Sequence, residues 1–129
     1  MSHSPDYDAG MQVRREVLGD EHVDQANAGT TEVTRDFQEF ITQYAWGGIW
    51  TREGLDRRNR SIVVLTALVA GGHLDELEFH LRAALTNGLT RAEIVEVLLQ
   101  TAVYCGVPAA NSAFAVAKRV LSEDDAAGA

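Results

Sequence analysis

The sequence predicts a single all-α domain. Apolar residues recur at spacings of three and four, which is the period of one helix face, and no stretch alternates apolar and polar residues as a half-buried strand would. Helix start and stop signals separate these stretches along the chain. A chain of 129 residues is also within the size of one ordinary domain that has one core.

The first part of the chain predicts an arm followed by an amphipathic helix. Residues 1–29 are polar and mixed, and only Met11 to Leu18 contain enough helix formers to suggest a short helix. Thr30 or Thr31 offers an N-cap for the next helix, whose apolar residues form one face that must be buried. That face consists of Val33, Phe37, Phe40, Ile41 and Tyr44.

Glycines and prolines divide the rest of the chain into four more helices. Three glycines interrupt residues 46–55, and Asp56 then offers an N-cap for a helix that reaches about Ala70. We expect a second helix from about His73 to Asn87 and Gly88, where a positive φ is normally required. The last helix follows Gly106 and ends at about Leu121; the domain is thus predicted over residues 30–122, with a frayed tail over 123–129.

The helix before this last one carries the clearest local signal. Thr90 and Glu93 match a capping box, and Leu89 and Ile94 occupy the positions of a hydrophobic staple. The helix continues to about Tyr104, and its apolar residues surround most of its circumference. It therefore lies either at the centre of the fold or at a subunit interface.

Composition excludes several classes of protein. The 19 acidic and 11 basic residues give a net charge of −8, which argues against nucleic acid binding. The longest apolar stretch, Ile62 to Ala70, is far shorter than the roughly 20 residues that cross a bilayer, so no membrane partner is expected. Residues 1–7 lack the features of a secretory signal, and a lone Cys105 is typical of a reducing compartment, so we expect the cytoplasm.

Four arginines lie within nine residues of this acidic chain: Arg52, Arg57, Arg58 and Arg60. Arginine binds carboxylates in a bidentate manner, so the cluster is a candidate anion site. The commoner alternative is that these arginines pair with Glu53, Asp56 or the acidic surface of another subunit.

His73, Glu76 and His80 are spaced by three and four, which places them within roughly a 60° sector of one helix. Two imidazoles beside a carboxylate can donate, accept and relay protons near neutral pH. The alternative is that these charged residues form a solvated face, while the buried face consists of Leu74, Leu77, Leu81, Ala84 and Leu85. No metal is expected, because further ligands at a metal-site spacing are absent from the sequence.

Three other residues remain ambiguous from the sequence. Cys105 follows a helix end, and a structural cysteine is the more common interpretation than a catalytic thiol. Trp46 and Trp50 enclose two glycines, and they either form an aromatic lid over a pocket or fix the loop to the core.

Three runs of sequence carry a family resemblance. They are Y-A-W-G-G-I-W-T-R-E-G-L-D-R-R-N-R-S from Tyr44, H-L-R-A-A-L-T-N-G-L-T-R-A-E-I from His80, and L-L-Q-T-A-V-Y-C-G-V-P-A-A-N-S-A-F from Leu98. Together they resemble the carboxymuconolactone decarboxylase family, over well more than half of the chain. The resemblance implies an AhpD-like helical fold that assembles into homo-oligomers, commonly hexamers.

The resemblance also implies a reaction. It is the cofactor-free decarboxylation of γ-carboxymuconolactone, a small dicarboxylate lactone, to 3-oxoadipate enol-lactone in the protocatechuate branch of aromatic catabolism. Within it we expect His80 to donate a proton, Glu76 to orient His80, and His73 to face the developing oxyanion. Arg60 or Arg57 would bind a carboxylate, and Trp50 and Trp46 would line the substrate site.

Thiol-dependent relatives of the same superfamily provide the first alternative. They carry C-x-x-C followed by a histidine, and those positions correspond here to His73, Glu76 and His80. A glutamate that activates the thiol in those relatives corresponds to Ser61. The departure argues against peroxidase or disulfide chemistry. A non-catalytic helical binding module is the second alternative, in which the three polar residues would be solvated and replaceable.

Overall fold

The computed structural model describes residues 4–128, with side chains described up to Glu123. Every regular element in this range is helical, so the prediction of an all-α domain is confirmed. The helices fall into two compact units, Met1–Asp56 and Arg57–Ala129. The predicted boundary between arm and domain, at Thr30, lies inside the first of these units.

Two helices occupy the region where the sequence predicted an arm with one short helix. Helix α1 spans Pro5–Leu18, with the Tyr7 amide donating to the Ser4 side chain at 3.2 Å as the N-cap bond. Gly19 has a φ of 91° and separates α1 from α2, which spans Asp20–Ala28. The apolar residues of these helices were too sparse to predict a core contact, yet Val13, Val17 and Val23 are buried.

Helix α3, Arg35–Ile41, continues directly into a turn of π-helix over Thr42–Trp46, which we call the π turn. Helix α1 crosses the π turn at two glycines. A Cβ added at Gly10 would overlap the Thr42 carbonyl oxygen, and one added at Gly47 would overlap the Asp6 carbonyl oxygen. The two backbones therefore touch directly, which only glycine permits at these positions.

The apolar face of α3 is exposed, which corrects the prediction that it must be buried. The described residues of this unit cover Ile41 only in part, while the remaining members of the face stand in solvent. Helical spacing identifies an apolar face but does not identify what covers it. The exposed residues are Val33, Phe37, Phe40 and Tyr44.

The C-terminal unit consists of four helices whose ends agree closely with the sequence signals. Gly72, Gly88 and Gly106 all have a positive φ at the breaks between them. The last helix extends as far as Gly128, beyond the predicted end at Leu121. The helices are α4 (Arg57–Gly71), α5 (Leu74–Thr86), α6 (Arg91–Tyr104) and α7 (Val107–Gly128).

One apolar core joins these four helices. Leu65 of α4, Leu81 of α5 and Leu98 of α6 are fully buried, and Ala113 and Val120 of α7 complete the cluster. The predicted capping box is confirmed, since the Glu93 amide donates to Thr90 Oγ1 and the Thr90 amide donates to Glu93 Oε1, both at 3.0 Å. No helix among the described residues is long and apolar enough to cross a membrane.

Candidate active site

The polar residues predicted on one helix face lie at the start of α5. The helix begins at Leu74, so His73 occupies the N-cap position rather than the helix itself. Glu76 is in the first turn and His80 follows one turn later, on the same face. His73 and Glu76 are exposed, whereas His80 is half-buried against the ring of Phe79, with centroids 5.0 Å apart.

The imidazole of His73 is held by close packing against its own loop. A Cβ added at Gly71 would lie 2.7 Å from His73 Nε2, so the ring lies over the last residue of α4. Leu77 and Leu81, which the sequence assigned to the buried face of this helix, are buried. Of the three residues, His80 alone has the partial burial that favours a role in proton transfer.

The arginine cluster divides at the start of α4. Arg58 forms an ion pair with Glu93, which is not one of the partners that the sequence suggested for the cluster. Arg57 and Arg60 are half-buried within the first turn of the helix, and Arg52 is exposed in the preceding loop. The members of the cluster thus differ in environment. Because Arg58 is paired with Glu93 and Arg52 is exposed, Arg57 and Arg60 remain the candidates for carboxylate binding.

Ser61 has a structural contact. Its hydroxyl accepts a hydrogen bond from Asn87 Nδ2 at 2.8 Å, and the residue is buried in α4. This bond joins α4 to the turn that follows α5. Cys105 is half-buried at the C-cap of α6 and packs against the core, as expected of a structural cysteine.

Trp46 and Trp50 stack on each other in the N-terminal unit. Their ring centroids are 5.0 Å apart with an angle of 25° between the planes. Trp46 is buried at the end of the π turn, while Trp50 is half-buried. Trp46 thus fixes the segment locally, and the less buried Trp50 presents the more accessible of the two rings.

A cavity of about 410 Å³ lies between α4 and α6, and sequence reasoning did not identify it. None of its lining residues belongs to the trio or to the arginine cluster. In the range 4–128, no group of three or more histidine, cysteine, aspartate or glutamate side chains is arranged to hold a metal ion. The cavity is lined by Ile62, Thr66, Val97, Gln100, Thr101 and Tyr104.

Sequence reasoning also missed a buried arginine in α1. Arg14 keeps only 5% of its surface, and its Nη1 donates to the Thr42 hydroxyl at 3.2 Å. The signal was present: Gly10, Arg14 and Val17 are spaced by four and three and so share one helix face. Charged residues are rarely buried, so the presence of an arginine on this face does not by itself predict a buried position.

The chain matches a known protein family and several of its relatives. The model of the carboxymuconolactone decarboxylase family matches residues 35–119. The chain is 42% identical over 123 residues to 4-carboxymuconolactone decarboxylase of Acinetobacter baylyi, covering 95% of this chain and 92% of the relative.

Two further relatives are similar to this chain. Nitrosuccinic acid decarboxylase of Metarhizium robertsii is 42% identical over 117 residues, covering 91% of this chain and 82% of the relative. A 4-carboxymuconolactone decarboxylase of Pseudomonas putida is 51% identical over 47 residues, covering 36% of this chain and 98% of that relative. From the matched range and the extent of these identities, the chain belongs to the carboxymuconolactone decarboxylase family.

Proposed function

We propose that this protein decarboxylates 4-carboxymuconolactone to 3-oxoadipate enol-lactone, in the breakdown of aromatic compounds through protocatechuate. The observation that carries the proposal is the 42% identity to the Acinetobacter baylyi decarboxylase over 95% of this chain. The protein is then a carboxy-lyase, and its substrate is a small lactone that bears two carboxylates.

The substrate accepts the electrons of its own decarboxylation. When the ring carboxylate leaves as carbon dioxide, the carbon–carbon bond breaks and its electron pair delocalises through the ring double bond onto the lactone carbonyl. The resulting dienolate takes a proton at the ring carbon next to that carbonyl, which gives the enol-lactone. The protein must supply cations that orient the carboxylates, a donor toward the lactone oxygen and an acid for the carbon.

Residues at the ends of α4 and α5 match these three needs. We assign the acid to His80, because an imidazole can donate a proton and this one is half-buried beside the ring of Phe79. Glu76, one turn earlier on the same face, orients His80, and His73 stabilises the lactone oxygen as charge develops there. Arg57 or Arg60 orients a carboxylate. The expected role of Trp46 and Trp50 in substrate binding rests on the family resemblance.

Nitrosuccinic acid is a second candidate substrate, since the Metarhizium robertsii relative is also 42% identical to this chain. Its chemistry is parallel: a carboxylate leaves from the carbon that carries the nitro group, the electron pair passes onto that group, and a proton is then added to the carbon. Both substrates lose one carboxylate beside an electron-accepting group and keep the other.

The test is turnover by the purified protein after treatment with a chelator. Each acid is supplied separately, and carbon dioxide and the organic product are measured. Preference for the lactone supports the proposal; preference for nitrosuccinic acid replaces it with the second candidate. Turnover that disappears with the chelator and returns with a metal ion would contradict cofactor-free chemistry.

Replacement of His80 tests the site. His80→Ala should lower kcat about 100-fold to 1,000-fold, the loss that follows removal of one well-placed donor. His22→Ala in α2 is the matched control and should keep normal turnover. Near-normal turnover of a folded His80→Ala protein would contradict the assignment of the acid.

We further propose that the chain forms homo-oligomers, trimers or hexamers, through the outer face of α6. Val95, Leu99 and Val103 are spaced by four along this helix and are exposed, with Val103 at 77%. A contiguous apolar stripe of this kind is unusual on a monomer. The 410 Å³ cavity between α4 and α6, with Tyr104 on its rim, would receive side chains of a second copy.

Sedimentation velocity tests this assembly. We expect a mass several times the 14.0 kDa of the chain, and Val103→Glu should lower it. A wild-type mass near that of one chain would contradict the proposal. The cytoplasm is our proposed location, because the single cysteine is typical of a reducing compartment.

A further inference from the structure

Helices α4 and α5 form a hairpin whose two ends are marked by contacts. Only Gly72 and His73 separate the two helices, and the imidazole of His73 lies over Gly71. At the other end of the hairpin, Asn87 Nδ2 donates to the Ser61 hydroxyl at 2.8 Å. The helices therefore run in opposite directions, and the start of α4 lies beside the end of α5.

The candidate active-site residues lie at opposite ends of this hairpin. Arg57 and Arg60 are in the first turn of α4, whereas His73 and Glu76 are at the start of α5, where α4 ends. At 1.5 Å per residue, α4 separates Arg57 from Gly71 by about 21 Å and Arg60 from Gly71 by about 16 Å. Side chains on a helix tilt toward its N-terminus, which takes both guanidinium groups further from His73.

One substrate molecule cannot span this separation. Standard bond lengths give 4-carboxymuconolactone a length of roughly 7 Å, and a hydrogen bond of about 3 Å at each end extends its reach to about 13 Å. The imidazole of His73, which is packed over Gly71, is further than this from Arg57 and from Arg60 of the same chain. A site that needs both His73 and an arginine is therefore incomplete within one chain.

The two ends of the hairpin also differ in charge. The first turn of α5 carries the exposed Asp75 and Glu76, whereas the first turn of α4 carries Arg57, Arg58 and Arg60 and no acidic residue. Complementary charges favour the approach of the acidic end of one copy to the basic end of another. Ring-shaped oligomers join two different surfaces of each subunit in this head-to-tail manner.

We propose that the active site is shared between two copies of the chain. His73, Glu76 and His80 come from one copy, and Arg57 or Arg60 of its partner binds a carboxylate of the substrate. The inference rests on the proposed decarboxylation for the identity of the substrate and the roles of these residues. It deepens that proposal by stating which half of the site each copy supplies.

Two variants that each lack one half of the site test the proposal. His80→Ala lacks the acid, and Arg57→Gln/Arg60→Gln lacks both arginines; each alone should lose at least about tenfold in kcat/KM. Equal amounts are unfolded together in urea and refolded, so that the oligomers contain both. A quarter of the sites then combine two intact halves, and turnover should return to about one quarter of that of refolded wild type. No recovery would overturn the proposal.

The matched control mixes two variants of the same half. His73→Ala and His80→Ala are refolded together in the same way, and every site of these oligomers takes its histidines from one damaged chain. Turnover should therefore stay as low as in the separate variants. Recovery in this pair as well would contradict the proposal, because mixing would then restore activity without joining the two halves.

Cross-linking tests the same contact without any turnover. In a Cys105→Ser background, one chain carries Arg57→Cys and another carries Glu76→Cys, and the two are refolded together. A short thiol cross-linker should give a two-chain product on a denaturing gel. Either variant alone should give much less product, since equivalent residues do not meet in a head-to-tail contact. Absence of the product from the mixture would overturn the proposal.

These measurements separate the shared site from the proposed function. If the wild type turns over neither candidate acid but the cross-link forms, the decarboxylase assignment fails and the contact between the two hairpin ends stands. If the wild type is active but neither recovery nor cross-linking is observed, the reaction stands and the shared site fails.

Discussion

Gly10 provides a sharp test of the packing between α1 and the π turn. In Gly10→Ala, the new Cβ would overlap the Thr42 carbonyl oxygen and lie 2.7 Å from the Gly47 amide nitrogen. Favourable contacts begin at about 3.5 Å, so the two backbones must separate by roughly 1 Å. Overpacking costs about 1–3 kcal/mol when side chains can adjust, and here the neighbours are backbone atoms, which favours the upper end. Alanine recovers about 1 kcal/mol of helix propensity, which leaves a net loss of about 2 kcal/mol.

Urea unfolding followed by tryptophan fluorescence measures this loss. Both tryptophans of the chain, Trp46 and Trp50, lie in the N-terminal unit, so their emission reports on that unit, while circular dichroism reports on all helices. Gly29→Ala is the control: its Cβ would meet no atom closer than 3.5 Å, so the free energy of unfolding should stay within about 0.5 kcal/mol of the wild-type value. A Gly10→Ala protein as stable as the wild type would refute direct backbone packing.

Two further predictions concern the C-terminal unit. Thr90→Ala removes the N-cap bond to the Glu93 amide and should lower the free energy of unfolding by about 1 kcal/mol, measured by thermal and urea unfolding. In Thr86, the exposed hydroxyl donates to the Arg82 carbonyl within α5, so Thr86→Ala should be nearly neutral, and equal effects of the two variants would contradict the capping role. The hydrogen bond from Arg82 lowers the pKa of Glu123 below its ordinary value of 4.5. The stabilisation from this contact is therefore present above the pKa of Glu123 in the unfolded chain, and it is lost as the pH falls through the lower pKa of the folded protein. Glu123→Gln should accordingly reduce the difference in the free energy of unfolding between pH 6 and acidic pH. Identical pH profiles of the free energy of unfolding for the variant and the wild type would exclude the contact.

The sequence predicted best the features that depend on near neighbours in the chain. A capping box needs only residues three apart, and Thr90 and Glu93 form it as expected. Gly88 and Gly106 end helices because positive φ is a local requirement. The candidate face of α5 could also be predicted from the sequence, since helical spacing alone brings Glu76 and His80 together.

Features that depend on distant contacts were not predictable in the same way. Arg14 is buried because Thr42, 28 residues later, accepts its hydrogen bond. Gly10 looked like an ordinary residue of a polar arm, since its partner Gly47 is recognised only after folding. The exposed faces of α3 and α6 show the converse case: the spacing revealed apolar surface, but the chain itself does not cover it.

The crossing of α1 over the π turn also bears on how fragments of such proteins are chosen. The family model begins at residue 35, the first residue of α3, whereas the N-terminal unit runs over Met1–Asp56. A fragment cut at the limits of the family model would retain the π turn and discard α1, the helix that packs on it. Thr42 and Trp46 would then lose that cover, so aggregation or inactivity of the shortened chain would reflect a divided folding unit rather than a missing catalytic group.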